Sequence, residues 1–275
     1  MTIAVVIIAA GRRPHLERTL RGLEQQTHRP DDVVVVDMRP DDSLADAVRP
    51  PARWVPFVGA PHEPGGALPL AAARNHGAAS TVADELVFLD VDCMPAPTLV
   101  ERYAAVLDHH PTALACGPVR YLRQGWDDDP AGGLDAASAA PPARAVPDDG
   151  VVRLGDDHEM FWSLSFGVTR AVWDRLGGFD EGYDGYGGED TDLALRARAL
   201  GIPLAWFAGG TAYHQWHEPT RLDPARTGEI VANARRFHER WGRWPMTGWL
   251  TELAERGLVR FDPSADELWP VEIVR

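Results

Sequence analysis

The sequence predicts an α/β fold built around a parallel sheet, and three observations carry that expectation. Short apolar runs end at Gly11, Asp37 and Asp90, helically spaced apolar residues alternate with them, and 275 residues suffice for one large domain with a tail. In open αβ sheets ligands collect beyond the carboxyl ends of the strands, so these three run ends point to one edge.

Taken in order, residues 2–10 are a Val/Ile-rich run bounded by Gly11 and read as a fully buried strand. Pro14 to Gln26 carries Leu16, Leu20 and Leu23 at helical spacing. Val33 to Val36 is a second buried strand, Trp54 to Val58 a third, Leu70 to Ala79 a helix, and Glu85 to Leu89 a fourth strand. Pro97 to His109 reads as a helix and Ala113 to Tyr121 as a strand. Residues 124–150 mix Pro, Ala, Gly and Asp without periodicity, a length that inside a domain means disorder or a mobile substrate lid. Order resumes from Glu159, with Ala171 to Leu176, a glycine-rich turn region at 177–188, a helix over Asp190 to Leu200 and a strand over Pro203 to Phe207. The stretch from 221 to 275 reads as a helical, Trp-rich extension, with Ile230, Ala234 and Phe237 on one face.

Composition excludes several classes of function. A net charge of −14 repels nucleic acid, so an acidic ligand needs a local remedy such as a bound cation. All 27 basic residues are Arg, which rules out schemes that depend on a phosphate-binding or Schiff-base Lys. Cys93 and Cys116 sit in apolar surroundings and read as buried reduced thiols, consistent with a cytoplasmic protein. No apolar run reaches the length of a transmembrane helix. The Arg235, Arg236, Arg240 and Arg243 run is a solvated helix face or a weak contact with an anionic membrane surface, and the tail tryptophans either close a core or meet a partner.

Three segments carry chemistry. Asp90-Val91-Asp92 ends a strand with two carboxylates on one face; the pair either closes the strand or holds Mn²⁺ or Mg²⁺ against a diphosphate. Gly187-Gly188-Glu189-Asp190 runs into a helix, where an acidic residue caps the first turn and, kept ionised by the helix dipole, can also serve as a general base. Tyr213-His214-Gln215 offers a neutral imidazole that can complete a coordination sphere begun by Asp92.

Together these residues resemble the inverting, GT-A-fold glycosyltransferases of family 2, in particular the chondroitin-polymerase-like and galactofuranosyltransferase-like branch. The ordered set is Ala4 to Arg13, Val33 to Asp37, Arg74-Asn75-His76-Gly77, Asp90-Val91-Asp92, Gly177-Gly178-Phe179-Asp180-Glu181, Gly187 to Asp190 and Tyr213-His214-Gln215. The resemblance implies a Rossmann-like nucleotide-binding half with a mixed central sheet over residues 1–115, an acceptor half over 116–220 and the helical tail. It implies transfer of a sugar from a nucleotide-diphosphate donor, a UDP-sugar, to a hydroxyl acceptor with the help of a divalent cation. By position, Ala9, Asp37, Arg74, Asp90 and Asp92 fall to the nucleotide, with Asp37 on the uracil or ribose. Asp92, His214 and Asp90 fall to the metal, and Asp190 is the base, with Glu189 holding the acceptor or acting in its stead. Gly11 and Met38 depart from the family pattern, as does Tyr186, which stands where Trp is common. The rival readings are a sugar-phosphate nucleotidyltransferase, which needs a fuller glycine loop and a Lys, and a non-catalytic sugar-nucleotide-binding module.

Overall fold

A computed structural model describes residues 1–39, 43–59, 66–127, 133–144, 146–218, 223–264 and 267–271. The chain opens with β1 (Ile3–Ala9), α1 (Arg13–Glu24), β2 (Asp32–Asp37), β3 (Ala52–Pro56), α2 (Leu70–Ala79), β4 (Glu85–Asp90), β5 (Cys93–Pro95) and α3 (Leu99–His109). It continues through β6 (Leu114–Cys116), β7 (Val119–Leu122), α4 (Gly133–Ala136), β8 (Ser138–Ala139), β9 (Val152–Gly155), β10 (Ser165–Thr169), α5 (Arg170–Leu176) and α6 (Glu189–Ala199). The remaining elements are β11 (Leu204–Phe207), β12 (Ala212–His214), α7 (Thr227–Trp241), α8 (Thr247–Glu255), β13 (Val259–Asp262) and β14 (Glu267–Pro270).

The main sheet has the order β3-β2-β1-β4-β10-β6-β11-β9. Its first four strands are parallel, as the alternation predicts, whereas β10 runs antiparallel to both β4 and β6. The sheet is therefore mixed. Since β11 is parallel to β6, the carboxyl ends of β1, β2, β4, β6 and β11 share one edge. β1 is buried on both faces: Ile3, Val5 and Ile7 pack with the layer of α1 and α3, and Ala4 and Val6 with the layer of α2, α5 and α6. That double burial is what its unbroken apolar run reports.

Three sequence expectations are corrected. The Ala113 to Tyr121 strand is two strands in two sheets, because the chain turns at Gly117-Pro118: β6 stays in the main sheet and β7 joins β5, β12 and β8. A Cβ at Gly117 would lie 2.8 Å from the Tyr103 hydroxyl, which fills the corner. The third strand lies two residues earlier than read, where Arg53 and Trp54 pair with Val34 and Val35. Of the 124–150 stretch, residues 128–132 and 145 lie outside the described residues. The rest carries α4 and β8, with Arg144 buried, so the expectation of no regular structure fails there.

The extension has the expected helices and adds the β13–β14 hairpin. Ile230, Ala234, Leu250 and Val259 form its core, and Trp244 packs beside them against Phe261, which supports the packing role for the tail aromatics. The basic run is engaged internally: Arg236 and Arg240 pair with Asp180, Arg243 with Glu159, and Arg235 donates to the Leu268 carbonyl. Among the described residues no helix is long and apolar enough to cross a membrane. Both cysteines are buried free thiols.

Candidate active site

The site forms where β4 ends. Asp90 closes the strand and Asp92 lies in the turn to β5, held from below by the Thr19 hydroxyl of α1, which donates to the Val91 carbonyl at 2.9 Å. β12 pairs antiparallel with β5, so that His214 lies opposite Cys93. The backbone N–H of Gln215 donates to the Asp92 carbonyl at 2.7 Å. The fully buried Gln215 side chain donates to the His15 carbonyl and accepts from Arg18, which ties this strand end to α1.

These contacts gather Asp92, His214 and His217, whose candidate ligand atoms lie within 4.8 Å of one another. Nε2 of His214 is 3.6 Å from Asp92 Oδ1, and Nε2 of His217 is 3.3 Å from Oδ2. Ligands bound at about 2.1 Å around an octahedral cation stand roughly 3 Å apart when adjacent and 4.2 Å when opposite, so the two separations suit a hard divalent ion. Burial opposes ionisation of Asp92, but the His217 hydrogen bond and the charges of His214 and Arg12 hold it well below the usual carboxylate range. Burial lowers the pKa of His214 against the pull of Asp92, which favours the imidazole form able to offer a lone pair. Arg12, a non-glycine residue with φ at 55°, pairs with Asp92 from the start of α1.

Asp90 stands apart from this group. Its Oδ1 accepts from Nη2 of Arg74 at 2.9 Å, and Nη1 of the same guanidinium reaches Glu189 Oε1 at 3.3 Å. Arg74 is 3 % exposed and is the shared counter-charge for Asp90, Glu189 and Asp190. One cation among three carboxylates leaves excess negative charge. Burial, reinforced by Asp190, pushes Glu189 up to about 7, and burial also raises Asp190 against the Thr191 hydrogen bonds and Arg74. Glu189 Oε2 is buried without a hydrogen-bond partner. Asp190 is half-buried and spends Oδ1 on the Thr191 N–H and hydroxyl within the first turn of α6, whose N-cap is Gly188.

The Arg-Asn-x-Gly element works through all three of its defined residues. Gly77 lets α2 press on β1, since a Cβ there would fall 2.3 Å from Val6. Asn75 donates to the Phe179 carbonyl and accepts from the Phe179 N–H, splicing the Gly-Gly-Phe-Asp-Glu loop onto α2. The following loop is braced by the extension: Asn233 donates to the Asp184 and Tyr186 carbonyls, and Glu229 accepts from the Tyr186 N–H.

Two residues assigned to the nucleotide are buried. Asp37 is 0 % exposed, and its carboxylate accepts from the Arg39 and Leu44 N–H groups and the Trp54 indole, so it fixes the turn after β2. Ala9 is buried, with its carbonyl accepting from Met38. Sequence reasoning missed His217, although His-x-x-His at 214–217 was the available signal, and it missed Arg12.

Residues 4–134 match the family described as Glycosyl transferase family 2, and residues 155–218 match the N-terminal domain of galactosyltransferase. Validoxylamine A glucosyltransferase of Streptomyces hygroscopicus subsp. limoneus is 30 % identical over 262 residues, covering 86 % of this chain and 56 % of its own length. The glycosyltransferase family 2 match lies in the first half of the chain. The hyaluronan synthase of Pasteurella multocida is 26 % identical over 238 residues, covering 78 % of this chain and 24 % of the synthase. The chain spans little more than half the length of the glucosyltransferase and a quarter of the synthase. The crystal structure of GalNAc-T7 with UDP, GalNAc and Mn²⁺ superimposes with a TM-score of 0.58 at 16 % identity, over 93 % of this chain and 57 % of that one. That likeness identifies the GT-A fold.

Proposed function

We propose that the protein transfers a sugar from a UDP-sugar to an acceptor hydroxyl with inversion, using a divalent cation, Mn²⁺ or Mg²⁺. The observation that carries this reading is the convergence, on one sheet edge, of the Asp92, His214 and His217 group with the Glu189 and Asp190 pair, joined through Arg74 and Asp90. Asp92, His214 and His217 would hold the cation, and Asp90 serves the ribose or positions Arg74 instead of ligating. When bound, the cation offsets charge on the departing diphosphate.

Arg74 keeps the carboxylates in place and contributes positive charge beside the donor. Asp190 accepts the acceptor hydroxyl proton on its unoccupied Oδ2 side while the acceptor oxygen bonds to the anomeric carbon and the bond to the diphosphate oxygen breaks. Attack opposite the leaving group inverts that carbon. Glu189 holds the acceptor through Oε2. The donor half extends to about residue 115 and the acceptor half to about 220; UDP as the donor nucleotide is supported by the occupant of the GalNAc-T7 structure. Calorimetry of UDP with and without Mn²⁺, on the wild type, Asp92→Ala and His217→Ala, tests the reading. Cation-dependent binding lost in both variants supports it, and binding indifferent to cation and substitutions overturns it.

A further inference from the structure

Arg144 takes no part in the machinery above, yet it is 7 % exposed and neither Nη1 nor Nη2 has a hydrogen-bond partner. Its Cζ lies 4.9 Å from the Trp162 ring and 4.8 Å from the Trp206 ring, so two indoles hold the guanidinium in place. A narrow crevice runs along it, walled also by Gly117, Val119, Pro147 and Trp206.

Its position is on the working edge of the sheet. Trp206 lies near the carboxyl end of β11, Gly117 follows β6, and two residues beyond Trp162 the Leu164 carbonyl accepts from the Asp90 N–H at 3.0 Å. Tyr121, whose ring lies 4.9 Å from that of His214, and Asp190 are among the groups whose fields act on Arg144. Burial lowers its pKa, and Cys116, Tyr103, Tyr121 and Asp190 oppose that shift. A buried cation lacking a hydrogen-bonded anion is costly unless a ligand completes it, and among the described residues no carboxylate hydrogen-bonds it.

We propose that Arg144 anchors an acceptor subsite for an anionic oxygen group, a carboxylate or phosphate carried by the acceptor glycan, with both Nη groups donating to it. The acceptor assignment rests on Asp190 being the base. The two indoles keep the fork fixed, so little is lost in ordering it on binding.

The test follows tryptophan emission, to which Trp162 and Trp206 contribute, during titration with methyl glucuronide, glucose 6-phosphate and methyl glucoside. UDP binding with Mn²⁺ is measured alongside, on the wild type, Arg144→Met and Arg144→Lys. The expected result is that the glucuronide or the phosphate ester binds at least tenfold tighter than the glucoside, the better of the two identifying the anion. Arg144→Met abolishes the preference with UDP binding retained, and Arg144→Lys, which keeps the charge without the fork, retains a weaker preference. Should Arg144→Met fail to fold, the reduced preference of Arg144→Lys decides. Equal binding of all three sugars to the wild type, a preference that survives Arg144→Met, or loss of UDP binding in a folded Arg144→Met overturns the proposal. Failure of UDP to bind the wild type while the anion preference persists overturns the glycosyl-transfer reading and leaves the anion site standing.

Discussion

Arg74 donates to Glu189 at 3.3 Å across 115 residues of sequence, with Asp90 on the same guanidinium. On the proposed reading this contact couples the donor side of the cleft to the acceptor side. Arg74→Met leaves the buried Glu189 and the partly exposed Asp90 without their counter-charge and should cost about 3–5 kcal/mol in urea unfolding. Arg74→Lys should recover only part of that loss, since an ammonium cannot hold both carboxylates as a fork does.

The revised ligand group is open to a direct comparison. His217→Ala should lower Mn²⁺ affinity about as much as His214→Ala, and both more than Asp90→Asn, because Asp90 faces Arg74 instead of the imidazoles. Manganese titration followed by electron paramagnetic resonance ranks the three; Asp90→Asn falling lowest would restore Asp90 as a ligand.

The proposed base sets a pH dependence. A general base must be ionised, so activity rises with pH through its folded pKa; because burial raises Asp190, the acid limb of kcat/KM should lie above the ordinary carboxylate range. Asp190→Asn should reduce kcat by about 10²–10⁴ and flatten that limb. A limb that persists unchanged in Asp190→Asn but vanishes in Glu189→Gln would make Glu189 the base.

Glu85 gives a stability prediction away from the site. It is 2 % exposed, its Oε1 has no hydrogen-bond partner, and burial pushes it up to about 7. Its folded pKa lies above its ordinary value, so its neutral form is favoured in the fold. The unfolded chain ionises first, and stability falls as pH rises from about 4.5 to 7, levelling beyond. Glu85→Gln should remove that fall and raise stability at pH 8 by on the order of 1–3 kcal/mol relative to the wild type, measured by urea unfolding.

Asp192, fully buried, accepts from the Trp241 indole at 2.9 Å, from Arg196 at 2.8 Å and, at the margin, from Tyr183. Trp241→Phe removes one donor and should destabilise by about 1–3 kcal/mol. Loss of kcat beyond the fraction unfolded would show that the brace also sets catalytic geometry, and kcat falling only with folded fraction would deny it.

Much of this was legible in the sequence where local pattern and tertiary placement agree. The run before Gly11 had no polar alternation because β1 is covered on both faces, and Asp-x-Asp ended a strand whose carboxyl edge is the cleft. What stayed hidden depends on long-range contact. Nothing local shows that Asp37 is buried and holds its own turn. Nothing local marks the strand switch at Gly117, which answers to Tyr103, or the partnership of Asp90 with Arg74. His217 was within reach, yet its meaning lay in its distance from Asp92.

The loop that leads into Glu189 and Asp190 takes hydrogen bonds from α7, through Asn233 and Glu229. During synthesis that helix leaves the ribosome after the loop it completes. A nascent chain can therefore assemble β1 to β4 and the imidazole group while Glu189 and Asp190 are still unsupported. On the proposed reading, competence waits until the brace has arrived.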